Sequence, residues 1–299
     1  IWLLDRSSVA PLRDEFQVSA DLSGSIYGTM LWPYTLRFAG EEGGEATWAS
    51  ASILTEPWNP IAGTNWIYDT ALIRALGQWS FIPDPNTGLA LPHRVESFDV
   101  TVQDGLPVGK TLDWVNLEFA PEIVVPDDAW VDWNAETQEF ITAAEGYTET
   151  TTALSKITTT YPADLFETQA WHDGSPMSLG DMVMSVIMQF DQAKEASAIY
   201  DEAQVPAFDS FMSTFKGMKI VSEDPLTIEF YTDNWTLDAE GAISNFRTMW
   251  PYYSFGEAPW HTIGLGVLGE ADGAAAFSAD KATANEVEQF SYIAGPTLE

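Results

Sequence analysis

A tight turn running straight into a capped helix places the strongest constraint on this chain. It reads Trp171-His172-Asp173-Gly174-Ser175-Pro176-Met177-Ser178-Leu179-Gly180-Asp181, and Met182 to Phe190 follow. Asp173-Gly174 is a turn dipeptide, because Gly174 adopts a positive φ without a Cβ clash. Ser178 is the expected N-cap, its hydroxyl accepting a backbone N–H of the first turn. Asp181 stands three residues on, where its carboxylate can reach back in a short-armed capping box. Val183, Val186, Ile187 and Phe190 recur at 3,4 spacing, so a helix over about 178–195 must pack an apolar face. On this reading Trp171, Asp173, Gly174, Ser178 and Asp181 are structural. His172 beside Asp173 invites a catalytic story, but both are turn residues.

The helix marks a change of period from 2 to 3.6. Upstream, residues 80–170 read as β-rich with short connections. Asp84-Pro85-Asn86-Thr87-Gly88 is a turn, Val95 to Val102 alternates as a strand, and Gln103-Asp104-Gly105 turns again. Thr111–Phe119 is a further strand, Asp127–Asn134 a polar turn region studded with tryptophan, and 148–160 a threonine-rich alternating segment. Downstream, a helix is expected over about 206–215, with Phe208, Phe211, Met212 and Phe215 on one face. Met218 to Tyr231 reads strand, turn, strand around Glu223-Asp224-Pro225. Near the start, Thr35–Phe38 is a short strand, Glu41–Glu45 a break and Asp69–Leu76 a short helix. Residues 269–290, rich in alanine and acid, are expected to be helical and partly exposed. The division expected is an N-terminal segment (1–50), a body with a β-rich part (51–268) and an acidic, alanine-rich C-terminal segment (269–299).

Charge narrows the partners. The 299 residues hold 45 acids against 12 bases, a formal net charge of -33. Such a field repels phosphate backbones and anionic membranes, and no basic cluster offsets it, which argues against nucleic-acid binding. The acids are spread along the chain, a pattern that fits surface adaptation to a salty or acidic habitat better than a dedicated cation or cationic-ligand site. A hydrophobic content of 45%, with 13 tryptophans and 16 phenylalanines, is enough to build a core and excludes an acidic disordered tail. Cysteine is absent, which removes disulfide and thiol chemistry. No run of 18 apolar residues suggests a membrane span. Ile1 to Leu4 opens like an element already under way, so the chain is expected to be a portion of a longer one.

Catalytic signatures are sparse. His93, His172 and His261 lie far apart without metal-ligand spacing, and no nucleophile elbow, phosphate loop or dinucleotide fingerprint occurs. Asp99, Asp104, Asp127, Asp128 and Asp132 lack the calcium-loop spacing. No catalysis, cofactor or resident metal is therefore expected. The aromatic loops are the better candidates. Trp58 and Trp66 flank Asn59 and Asn65, with Tyr68 beyond, on a loop stiffened by Pro57 and Pro60. Flat apolar surfaces with a few amides are what ligand pockets use, although such tryptophans can equally seal a core. Met249 to Phe255 is a similar aromatic cluster.

The order of these motifs resembles the extracellular solute-binding proteins of family 5, the peptide, nickel and oligosaccharide receptors of ABC importers. Trp171 to Val183 is similar to the family's hallmark of an aromatic residue, Asp-Gly, Pro, a Ser or Thr cap and Asp on the following helix. Asp84 to Gly105, Glu223 to Phe230 and Trp58-Asn59-Pro60 are similar to flanking segments, so the likeness covers about 50–255. It departs in a longer 106–170 segment, in residues 1–34, and in overall length, since members run to about 500 residues. The resemblance implies an α/β fold, part of a type II periplasmic-binding lobe with a mixed sheet, flanking helices and a β-rich subdomain. It also implies capture of a small solute, an oligopeptide first and an oligosaccharide next. The expected setting is a monomer outside the cell or in the periplasm, lipid-anchored in the full-length protein, that docks on membrane permease subunits. Loop 58–68 would lie near the cleft. The rivals are a secreted carbohydrate-active enzyme or binding module, the enzyme needing two carboxylates about 5–9.5 Å apart, and a calcium-stabilised surface protein.

Overall fold

The computed structural model describes residues 13–17, 35–47, 57–64, 66, 73, 79–84, 87–244, 250, 258–293 and 295–298. Two short antiparallel pairs come first, β1 (Phe16–Gln17) with β2 (Arg37–Phe38) and β3 (Phe81–Pro83) with β4 (Ala90–Pro92). Next come β5 (Ser97–Gln103), β6 (Val115–Ala120), β7 (Ile123–Val124), β8 (Trp130–Asn134) and β9 (Glu139–Thr142). The middle of the chain forms α1 (Ala143–Gly146), β10 (Thr152–Ala153), β11 (Ser155–Thr160), α2 (Leu165–Thr168), α3 (Leu179–Asp191) and α4 (Val205–Met212). It closes with β12 (Phe215–Glu223), β13 (Leu226–Thr232), α5 (Trp260–Ala271), β14 (Ala275–Ala276), α6 (Ala279–Asn285) and β15 (Glu288–Gln289).

A seven-stranded mixed sheet with flanking helices organises these elements, in the order β6-β5-β11-β13-β12-β8-β9. Its pairs are antiparallel except β5–β6. Alternation decides which face packs. Phe98, Val100 and Val102 of β5 are buried while Ser97, Asp99, Thr101 and Gln103 are half-exposed, as period-2 geometry requires. Register then lines Val100, Ile157, Phe230 and Met218 across four strands. Onto this face α3 sets Met182, Val186 and Phe190. The Phe190 ring meets Phe208, Phe211 and Phe215 with centroids 5.6, 5.9 and 5.8 Å away, all edge-on, the arrangement that the ring quadrupoles favour.

Several expectations need correction. The stretch Asp127–Asn134 is not simply a turn, since Trp130–Asn134 is a sheet strand paired with β9. Its burial alternates, with Val131 and Trp133 inside, while the register against β9 shifts between Trp130 and Asp132 and the two residues join different core clusters. Its acids hid the strand from a composition reading, and one of them, Asp132, pairs with Lys194 at 2.5 Å. Thr111–Phe119 begins as a strand only at Val115, and 163–170 contains a single helical turn, α2. The second helix stops at Met212, so Phe215 joins the same aromatic cluster from β12.

The C-terminal segment is more compact than its composition suggests. Strands β14 and β15 pair in parallel across α6, and Phe277 between them is fully buried. Helix α3 therefore carries two apolar faces where the sequence suggested one. Met184 and Met188 point away from the sheet and pack with Ile199, Ile263, Phe277 and Ile61. The expected helix at Asp69–Leu76 and the cluster Met249–Phe255 lie outside the described residues, apart from Ile73 and Trp250. Among the described residues no helix is long and apolar enough to cross a membrane.

Candidate functional site

The turn before α3 is built as its residues dictate. Gly174 takes φ +86°, its N–H donates to the Trp171 carbonyl at 2.8 Å, and Trp171 N–H donates to the Ser175 carbonyl at 2.8 Å. Asp173 Oδ1 accepts from the Ser175 N–H and hydroxyl at 2.9 and 2.7 Å, and these bonds hold its carboxyl below the ordinary value. Ser178 is the N-cap, and its N–H donates to Asp181 Oδ2 at 2.7 Å, with the box closed in both directions. Asp181 goes further than a cap. It is buried, accepts from Trp171 Nε1 at 3.3 Å, and its other oxygen accepts from Trp260 N–H at 2.7 Å. Trp260 opens α5, so one carboxylate satisfies N–H groups at the starts of two helices, where the dipoles favour negative charge. His172 is exposed at the rim of this turn.

The aromatic loop behaves differently from a binding loop in its described part. Asn59 is fully buried, and Nδ2 donates to the carbonyls of Phe277 and Phe290 at 2.9 and 3.1 Å. Its Oδ1 accepts from Ile61 and Ala62 N–H at 3.1 and 2.8 Å. Both amide hydrogens and both lone-pair directions are thereby engaged within the fold. Trp58 is half-buried, and its carbonyl accepts from Tyr292 N–H at 2.6 Å. Burial pushes the Tyr292 phenol up to about 12. Trp66 is 41% exposed on the outer side of the loop. Asn65 and Tyr68 lie outside the described residues. Ile61, a neighbour of Trp58 and Asn59, lines a recess.

That recess has a volume of about 60 Å³ and lies between α3, α4 and the loop. Helix α3 contributes Ser185, Met188 and Gln189, and its C-cap Gln192 follows. Gln204, Ala207 and Phe208 face them, and no charged side chain is part of the lining. Gln192 is 6% exposed, and among the described residues neither its side-chain amide nor that of Gln189 has a hydrogen-bond partner. Gln204 spends one N–H on Asp201 Oδ2 at 3.4 Å, and the Ser185 hydroxyl donates to the Met182 carbonyl at 2.6 Å. The amide atoms of Gln189 and Gln192 still reach solvent through the recess, so their donors and acceptors stand open to a ligand; among the described residues, fully buried side-chain groups without a partner lie elsewhere, Trp58 Nε1 and Trp114 Nε1 among them. The sequence reading passed over these residues. Ser185, Gln189 and Gln192 are spaced i, i+4, i+7, which is an uncharged polar stripe on one helix face in a strongly acidic chain.

Chemistry of other kinds finds few residues. Among the described residues no three or more His, Cys, Asp or Glu side chains stand close enough to hold a metal ion. The carboxylates of Asp191 and Glu270, both buried, are committed to the fold: Asp191 to Trp133 Nε1 and Ser197, Glu270 to Phe277 N–H and Lys281. No known family model matches the chain, and no curated protein matches it either.

Proposed function

We propose that this chain is a solute-capturing receptor of the family 5 kind, its described body a type II periplasmic-binding lobe that delivers an extracellular solute to membrane permease subunits. Oligopeptides are the first class of solute and oligosaccharides the second. One observation carries the reading: three of the four segments behind the resemblance meet in one α/β body. Strand β5 within Asp84–Gly105, the helix started by Trp171–Asp181 and the hairpin around Glu223-Asp224-Pro225 share a single sheet-and-helix core. In this reading the Trp171–Asp181 motif is a structural joint, and Asp181 is what makes its spacing necessary. Solute contact then falls to exposed groups such as Trp66 and to segments flanking the loop, since Asn59 is held inside the fold.

Titration with di- to pentapeptides and with oligosaccharides, followed by tryptophan fluorescence, tests the proposal. A saturable change with one class is the expected result. A flat response to both classes overturns it.

A further inference from the structure

The recess between α3 and α4 has features that the receptor reading does not use. Its size decides what fits. About 60 Å³ has room for roughly four waters or a group of a few heavy atoms, well below the roughly 300 Å³ at which drug-sized ligand pockets begin. A sugar ring or a peptide unit does not enter whole, but a terminal functional group does.

The lining decides the chemistry. Gln189 and Gln192 each offer both an N–H donor and a carbonyl acceptor, Gln204 keeps its carbonyl oxygen, and Ser185, whose proton is already given to Met182, offers lone pairs. Met188, Ala207, Phe208 and Ile61 supply apolar walls for a short aliphatic stem. With no charged side chain in the lining, a carboxylate entering it has no cation to pair with and faces the field of a chain of net charge -33. An ammonium has no carboxylate in the lining to receive it. A neutral group that donates and accepts side by side matches what remains.

We propose that this recess is a binding site for a primary carboxamide, such as the end of an asparagine or glutamine side chain or a small aliphatic amide, held by the Gln192 and Gln189 amides with its stem against Phe208. The inference stands apart from solute import.

Propionamide is the probe. In ¹⁵N-labelled protein the side-chain amide resonances of Gln189, Gln192 and Gln204 shift saturably with it, with a dissociation constant in the millimolar range expected of so small a ligand. Propionate and glycerol at equal concentration leave those resonances unmoved. Gln192→Met, which keeps the length and removes the amide, weakens propionamide binding about tenfold, the loss of one buried hydrogen bond pair, while the circular dichroism spectrum and thermal midpoint stay the same. Gln189→Met is the second variant and serves in the same way should Gln192→Met fail to fold. Absence of a saturable shift with propionamide, equal shifts with propionate or glycerol, or undiminished binding in the folded variants overturns the proposal. Since peptide titration is read separately by tryptophan fluorescence, failure of the receptor reading and failure of this site are distinguishable.

Discussion

The two ends of helix α3 treat polar groups in opposite ways. At its start, Asp181 is buried and receives hydrogen bonds from Ser178, Trp171 and Trp260. In its last two turns, Gln189 and Gln192 line a recess with their amides unpartnered among the described residues. Burial alone does not separate them, because Asp181 is 1% exposed and Gln192 6%. Satisfaction does. A buried polar group with every bond made holds a fold together, whereas amides that still reach water through a recess can exchange that water for a ligand. The residues with the more reactive look, a carboxylate near a histidine, are the structural ones, and the plain amides are the better binding candidates.

Mutations sharpen this contrast. The largest effect is expected from Asp181→Ala, which leaves the Ser178 and Trp260 N–H groups and the Trp171 indole without their acceptor. A loss of about 3 kcal/mol in chemical denaturation is expected. A loss below about 0.5 kcal/mol would break the claim that this carboxylate joins two helices. Asn59→Ala comes next, at about 2 kcal/mol, since it leaves the Phe290 carbonyl and the Ile61 and Ala62 N–H groups without their partner and removes one of two donors to the Phe277 carbonyl. Denaturant midpoints check it, and a silent variant would reopen Asn59 as a ligand contact.

Gln192→Met is expected to change stability by no more than about 0.5 kcal/mol, or to raise it, because it removes an amide that the fold does not satisfy. A loss like that of Asn59→Ala would mean that Gln192 is structural after all. The smallest effect concerns pH. The Ser175 bonds hold Asp173 below its ordinary 3.8, so the folded value lies under the unfolded one. Its contribution to stability is complete above that ordinary value and is lost as pH falls through the lower folded value. Ser175→Ala should move the Asp173 carboxyl back up, which a side-chain carboxyl NMR titration reads directly, while leaving stability near neutral pH almost unchanged.

Much of this fold was legible because its signals are local. The capping box at Ser178 and Asp181, the positive φ at Gly174 and the hairpin at 223–225 each depend on a few neighbouring residues whose side chains fix the backbone. Strand β8 was missed because it is short and its acids imitate a turn, although its burial alternates. The C-terminal unit was misjudged because its core is completed from a distance, by Met184 and Met188 of α3 and by Ile61. For the candidate site, aromatic content directed attention to Trp58, Asn59 and Trp66. The stripe of Ser185, Gln189 and Gln192 carried a periodic signal, but nothing in its composition marks it as different from a solvated helix face.

By itself, then, the sequence determined where the chain turns, where α3 begins and which strand positions face inward, because caps, glycine torsions and alternation act over a few residues. Only the tertiary structure decided that Asp181 also serves α5, 79 residues away, that Asn59 is consumed by the carbonyls that follow β14 and β15, and that the glutamines at the end of α3 line a recess. Each of those outcomes turns on which distant surface comes to lie against a residue, and hydrogen-bond satisfaction has no meaning until that surface is in place.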